Sequence, residues 1–140
     1  MQPATDRVKS NLPGPVRSTL GGLKWKLIFA WTDLRDSFAE AHSLPHPVPG
    51  SRLRFKVHGE LGREDYLLVG DNIAAALAKF ATDYDLDPEP DQRVLDFGCG
   101  CGRVTTWLNQ LWPGPNWHGC DVDEEAIAWC REQLGFGEFY

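Results

Sequence analysis

The chain has 140 residues, 42% hydrophobic and 24% charged, which is long enough for one domain with a real core. Its formal net charge of −6 argues against non-specific nucleic-acid binding as the main activity, though it leaves a nucleic-acid substrate open. The polar, proline-containing first 20 residues lack the apolar core of a secretory leader, and the run Leu27-Ile28-Phe29-Ala30-Trp31 is far short of the roughly 20 residues a membrane span requires.

Residues 1–18 carry Pro3, Pro13, Gly14 and Pro15 among polar residues and read as a flexible or extended N-terminal arm. A helix follows over about 20–42, because Leu23, Leu27, Ala30, Trp31, Leu34, Phe38 and Ala41 recur at steps of three and four and make one apolar stripe. Pro45, Pro47, Pro49 and Gly50 end it. Over 52–58, Leu53, Phe55 and Val57 alternate with Arg52, Arg54, Lys56 and His58, the period of an extended segment. The functional reading of the basic row is a clamp for an acidic substrate or a lid over a cofactor. The plain reading, which is preferred, is a solvated strand face with His58 at the surface.

From Arg63 to about Tyr84 a second helix is predicted, with Tyr66, Val69, Ile73, Leu77 and Phe80 on one side and a kink at Gly70. Asp87-Pro88-Glu89-Pro90-Asp91 forms a linker. A strand over 93–97 then runs into glycines at every second position, Gly98, Gly100 and Gly102. Val104, Trp107, Leu108 and Leu111 mark the next helix, and Pro113-Gly114-Pro115 closes it. A second strand spans 117–121 and a helix spans 124–134, with Ile127, Cys130 and Leu134 inward and Gly135 as its cap. Phe136 to Tyr140 approaches a third strand. Domain organisation is therefore the arm, a helical N-terminal segment over 19–90 containing the extended stretch, and a nucleotide-binding half over 91–140.

The four cysteines do not read as a metal site. Cys99 and Cys101 are one residue apart on a turn already explained by glycine, whereas structural zinc pairs are usually two to four residues apart. Cys130 falls in register with the core positions of its helix. Reduced thiols fit a cytoplasmic protein.

The chemistry concentrates in Val94-Leu95-Asp96-Phe97-Gly98-Cys99-Gly100-Cys101-Gly102-Arg103. A strand that ends in such a turn and opens a helix is a nucleotide cradle, since glycine lets the backbone pass close to a ligand. Asp96 at the strand tip would repel a phosphate, and Arg103 stands where a dinucleotide turn wants its third glycine. A ligand carrying an ammonium and a sulfonium suits these residues better. Asp121 follows the first glycine at about the spacing of an acidic residue on a ribose. Asp123, Glu124 and Glu125 read as first-turn residues that favour the helix macrodipole.

On these residues the chain resembles the class I (Rossmann-like) S-adenosylmethionine-dependent methyltransferases. The acidic-x-Gly-x-Gly-x-Gly motif is Asp96-Phe97-Gly98-Cys99-Gly100-Cys101-Gly102, and the second segment, resembling the family's second strand, its terminal acidic residue and the helix that follows, is His118-Gly119-Cys120-Asp121-Val122-Asp123-Glu124-Glu125-Ala126-Ile127. The resemblance implies an α/β fold with an incomplete Rossmann-like sheet, holding the first two or three parallel strands with flanking helices, and S-adenosyl-L-methionine as cofactor. It implies that Asp96 helps hold the methionyl amino group, that the backbone from Gly98 to Gly100 lines the methionine and ribose, that Asp121 accepts from both ribose hydroxyls, and that Val122 lies against the adenine. Phe97, Cys99 and Gly102 complete the motif.

No catalytic residue is assigned, because the later strands that normally face the acceptor are missing from the pattern. The first strand, normally central, is then expected to leave one edge unpaired, filled by the rest of a longer chain or by another copy. Two alternatives stay open: a non-catalytic S-adenosylmethionine-binding or interaction module, and an NAD-dependent oxidoreductase.

Overall fold

The computed structural model describes residues 14–38 and 44–140. The chain divides into two compact units, residues 1–41 and 42–140. In the first, helix α1 spans Gly14–Phe38. It starts within the span expected to be a flexible arm: Pro15 falls in the first turn, where its missing N–H would have had no partner in any case. Residues 1–13 of that arm, and residues 39–43 at the far end of the expected helix, lie outside the described residues.

The second unit opens with α2, Ser51–His58. This corrects the expectation of an extended stretch over 52–58. Eight residues are too few to separate the two periods, because Leu53 and Val57 fit both alternation and the i, i+4 spacing of a helix. The ends decide it. Gly59 takes the left-handed conformation (φ 82°) and returns its N–H to the Phe55 carbonyl at 2.8 Å. Arg54, buried although charged, donates from Nη1 to the Pro49 carbonyl at 2.6 Å and from Nε to the Leu61 carbonyl at 2.9 Å, so one guanidinium ties together the segments on both sides of the helix.

Helix α3, Arg63–Asp83, opens on Glu64 and Asp65, which favour its positive N-terminal end. It is a single helix of 21 residues, and Gly70 is a close-packing point along it. A Cβ there would lie 2.8 Å from the Arg103 carbonyl oxygen and Cγ, so Gly70 is where α3 presses against the helix after the glycine turn.

Strand β1, Arg93–Phe97, pairs in parallel with β2, Asn116–Cys120, and β2 with β3, Glu138–Phe139. The crossovers contain α4, Arg103–Leu111, and α5, Glu124–Gln133. Three parallel strands joined through helices make an incomplete Rossmann-like sheet in the order β1-β2-β3. Helix α5 ends at Leu134 in extended geometry, so Gly135 is not the cap that was expected.

Alternation sorts the sheet residues. Val94 and Trp117 pack with Ala74 of α3 and Leu108 of α4, and Phe139 packs with Ile127 and Cys130 of α5. Leu95 and Phe97 are exposed, with Phe97 at 86%. Among the described residues β1 is paired on one side only.

Candidate functional site

The site is built where β1 and β2 end. Gly98, Gly100 and Gly102 all take positive φ (80°, 54° and 64°), so the backbone reverses at every second residue, as only glycine does without strain. The turn is held from behind by hydrogen bonds. Gly98 N–H and Cys99 N–H both donate to the Cys120 carbonyl, at 2.8 and 3.1 Å, and Gly102 N–H donates to the Cys99 carbonyl at 2.9 Å.

Asp121, just past β2, joins this turn to the next. Its Oδ2 accepts from Gly100 N–H at 2.8 Å and its Oδ1 from Asp123 N–H at 2.8 Å. Each carboxylate oxygen has a second lone pair left over. Asp123 in turn caps α5, accepting from Glu125 N–H and Ala126 N–H.

A cavity of about 200 Å³ is lined by Gly98, Gly100, Asp121, Asp123, Ala126, Lys56 and Val57. Three sequence-predicted site residues therefore converge on one space: Gly98, Gly100 and Asp121. The others are arranged around it. Asp96 is half-buried at the tip of β1 and accepts a hydrogen bond from the buried Thr105 hydroxyl of α4. The Cys99 side chain belongs to the core with Ile127 and Cys130. Gly102 opens α4, and a Cβ there would meet Leu134 Cδ1 at 2.7 Å. The side chains of Val122, 100% exposed, and Phe97 both face outward.

The sequence reading missed Lys56, Val57, Asp123 and Ala126. The basic row is not a solvated strand face. Helix α2 sets Lys56 Nζ 2.5 Å from Asp123 Oδ2 and 3.5 Å from Glu125 Oε2, while Arg52 pairs with Glu125. The Lys56 hydrogen bond, with those from the α5 backbone, holds the Asp123 carboxyl below its ordinary value. Val57 leans over the turn, so a Cβ on Gly100 would stand 3.1 Å from its Cγ2. The i, i+4 spacing of Arg52 and Lys56 would have shown one basic helix face, had the segment been read as a helix.

His58 is likewise not a surface residue. Its Nδ1 lies 2.7 Å from Arg103 Nη1, and its Nε2 bonds Asp65. Arginine can only donate, so Nδ1 is the acceptor and Nε2 carries the proton that goes to the carboxylate. The Arg103 guanidinium lies 5.6 Å from the Tyr66 ring centroid. Arg103 thus fastens α2 and α3 to the helix that leaves the glycine turn.

Burial pushes the Cys101 thiol up to about 12, and Cys130 is raised further by its Cys99 neighbour and by burial. These buried thiols belong to the core clusters, away from the thiolate-favouring surroundings of a reactive cysteine. Among the described residues no group of three or more His, Cys, Asp or Glu is arranged to hold a metal ion.

Residues 94–138 match a family model described as a methyltransferase domain. The chain is 39% identical over 54 residues to trans-aconitate 2-methyltransferase of Mycolicibacterium gilvum, covering 36% of this chain and 21% of that one. It is 33% identical over 67 residues to malonyl-(acyl-carrier protein) O-methyltransferase of Magnetococcus marinus, covering 48% and 24%. Among solved structures it is similar to the plantazolicin methyltransferase BpumL in complex with a monoazolic desmethylPZN analog and SAH, at 18% identity and TM-score 0.46, covering 85% of this chain and 42% of that one. The matched segments span less than a quarter of the two curated relatives. The family match contains both the glycine turn and Asp121, the residues on which the class I methyltransferase resemblance rests.

Proposed function

We propose that this chain carries the cofactor-holding part of an S-adenosyl-L-methionine-dependent methyltransferase. The observation that carries this reading is the convergence of Gly98, Gly100 and the Asp121 carboxylate on one cavity. The way the turn uses its donors supports the same ligand. A phosphate cradle needs backbone N–H groups pointing at the anion. Here the N–H groups of Gly98, Cys99, Gly100 and Gly102 are all taken by protein oxygens. What the cavity offers instead is the two carboxylates of Asp121 and Asp123, with the single ammonium of Lys56. That balance suits a nucleoside bearing hydroxyls and positive charge better than a pyrophosphate.

In this reading Asp121 accepts from the ribose hydroxyls on its remaining lone pairs, Val122 lies against the adenine, and the backbone from Gly98 to Gly100 lines the ribose and methionine. A Cβ on Gly98 would meet nothing within 4 Å, so that side of the turn is open for a ligand. Asp96, held by Thr105, takes the methionyl amino group. When bound, the cofactor supplies an electrophilic methyl group on a sulfonium. The residues of this chain hold and orient it, and alignment of an acceptor in line with the methyl carbon supplies much of the rate. Four cysteines free of disulfide pairing suit a reducing, cytoplasmic compartment.

The test is calorimetry on the chain with S-adenosylmethionine, SAH and NAD. Binding of the first two without NAD is expected. Binding of NAD with neither of the others would assign the site to a dinucleotide and sink the reading.

A further inference from the structure

We infer that helix α1 is an interfacial helix that docks on an anionic lipid bilayer surface. Leu23, Leu27, Trp31, Leu34 and Phe38 are all exposed, with Trp31 at 69% and Phe38 at 81%. At 3.6 residues per turn these five and Ala30 fall within an arc of about 100°, and they extend roughly 22 Å along the helix. Scattered exposed apolar residues need no explanation, but a continuous stripe of this size marks a surface that is covered in use. The other side of α1 differs: Ile28 and Phe29 are half-buried there and Thr32 is buried.

Charge identifies what covers the stripe. Lys24 borders it on one side and Lys26 on the other, and both are exposed. From Gly14 to Thr32 the sequence holds Arg17, Lys24 and Lys26 and no acidic residue, in a chain whose net charge is −6. Over its full length α1 sets Arg17, Lys24, Lys26 and Arg35 against Asp33, which neighbours Lys26 on its flank, and Asp36, so the helix that carries the stripe has a net charge of +2 where the rest of the chain has −8. Arg35 is already paired with Asp36 at 3.3 Å, so Lys24 and Lys26 are the cations that matter.

An apolar stripe flanked by lysines and containing tryptophan lies in the plane of a bilayer, the apolar side in the acyl boundary and the ammoniums among anionic headgroups. No helix among the described residues is long and apolar enough to cross a membrane, so α1 would lie on the surface. Gly21 and Gly22 within the helix weaken it in water, and an apolar surface offsets that weakness. This inference is independent of the cofactor reading.

The test is co-sedimentation of the full chain with vesicles of phosphatidylcholine and phosphatidylglycerol (about 7:3) or of phosphatidylcholine alone. The expected result is binding to the anionic vesicles that drops on the order of tenfold with phosphatidylcholine alone, or in the double substitution Lys24→Gln and Lys26→Gln. The pair Leu27→Glu and Trp31→Glu abolishes it with an unchanged circular dichroism spectrum and melting temperature, since both side chains are exposed. Leu68→Glu, an exposed leucine of α3, leaves it intact. Failure to sediment with anionic vesicles would overturn the inference, as would binding that survives Leu27→Glu with Trp31→Glu. A dimer by native mass that this pair dissociates, without vesicle binding, would make the stripe a contact between copies and overturn it as well.

Discussion

Asp121 accepts a hydrogen bond from the backbone N–H of Gly100 at 2.8 Å, across the gap between the two strand-ending turns of the sheet. One carboxylate thus sets the shape of the glycine turn and supplies acceptor oxygens to the cavity beside it.

Removing that carboxylate is expected to weaken S-adenosylmethionine binding at least tenfold. Charged hydrogen bonds are worth roughly 1.5–3 kcal/mol each, and Asp121→Ala deletes those to the ligand together with the one that shapes its cradle. Asp121→Asn keeps a carbonyl acceptor for Gly100, so it should retain more of the fold but less of the ribose contact. Calorimetric titration of the three proteins decides the point: affinity unchanged in Asp121→Ala removes Asp121 from the site.

The Lys56–Asp123 pair makes a pH prediction. Asp123 has a lowered pKa, caused first by the Lys56 hydrogen bond, so the pair's contribution is present above the ordinary value of 3.8 and is lost as pH falls through the lower folded value. In Lys56→Met the Asp123 midpoint should rise toward or above 3.8. Carboxyl-resolved NMR titration reads it directly, and an unmoved midpoint would show that Lys56 does not hold this carboxylate.

Gly70→Ala sets two effects against each other. Alanine gains about 1 kcal/mol of helix propensity over glycine in a helix interior. Its Cβ, however, would stand 2.8 Å from the Arg103 carbonyl oxygen and 3.1 Å from Trp107 Cδ1, and a backbone atom does not step aside cheaply. Overpacking of this kind costs about 1–3 kcal/mol. A net loss in melting temperature is expected. Gly21→Ala, where nothing lies within 4 Å, should instead raise it or leave it unchanged.

Cys99, Cys101 and Cys130 are buried and Cys120 is half-buried. In native protein at pH 7.5 a thiol reagent should modify Cys120 first, and the other three only as fast as the chain unfolds. The raised values of Cys101 and Cys130 favour the folded state below the ordinary thiol value of 9.0 and lose that effect as pH climbs above it. Thermal melts from pH 7.5 to 10 should therefore decline toward the alkaline end. Rapid native modification of all four thiols would contradict the burial.

The sequence alone specified the glycine turn, the strand feeding it, the helix leaving it and the Asp121 that follows the second strand. These are local features. Positive φ demands glycine, apolar period separates strand from helix over a sufficient length, and a strand-helix-strand unit fixes the spacing from turn to acidic residue. Tertiary structure decided the rest. Whether Ser51–His58 was strand or helix could not be read from alternation, because eight residues fit both periods and the segment's bounds rest on Gly59 and the buried Arg54. Lys56 and Asp123 became neighbours only when α2 folded against the start of α5, and Gly70 took its role from Arg103 and Trp107 on another helix. Through-space ion pairs and close backbone crossings leave no periodic trace in a single sequence, so the turn was legible in advance and the lysine over it was not.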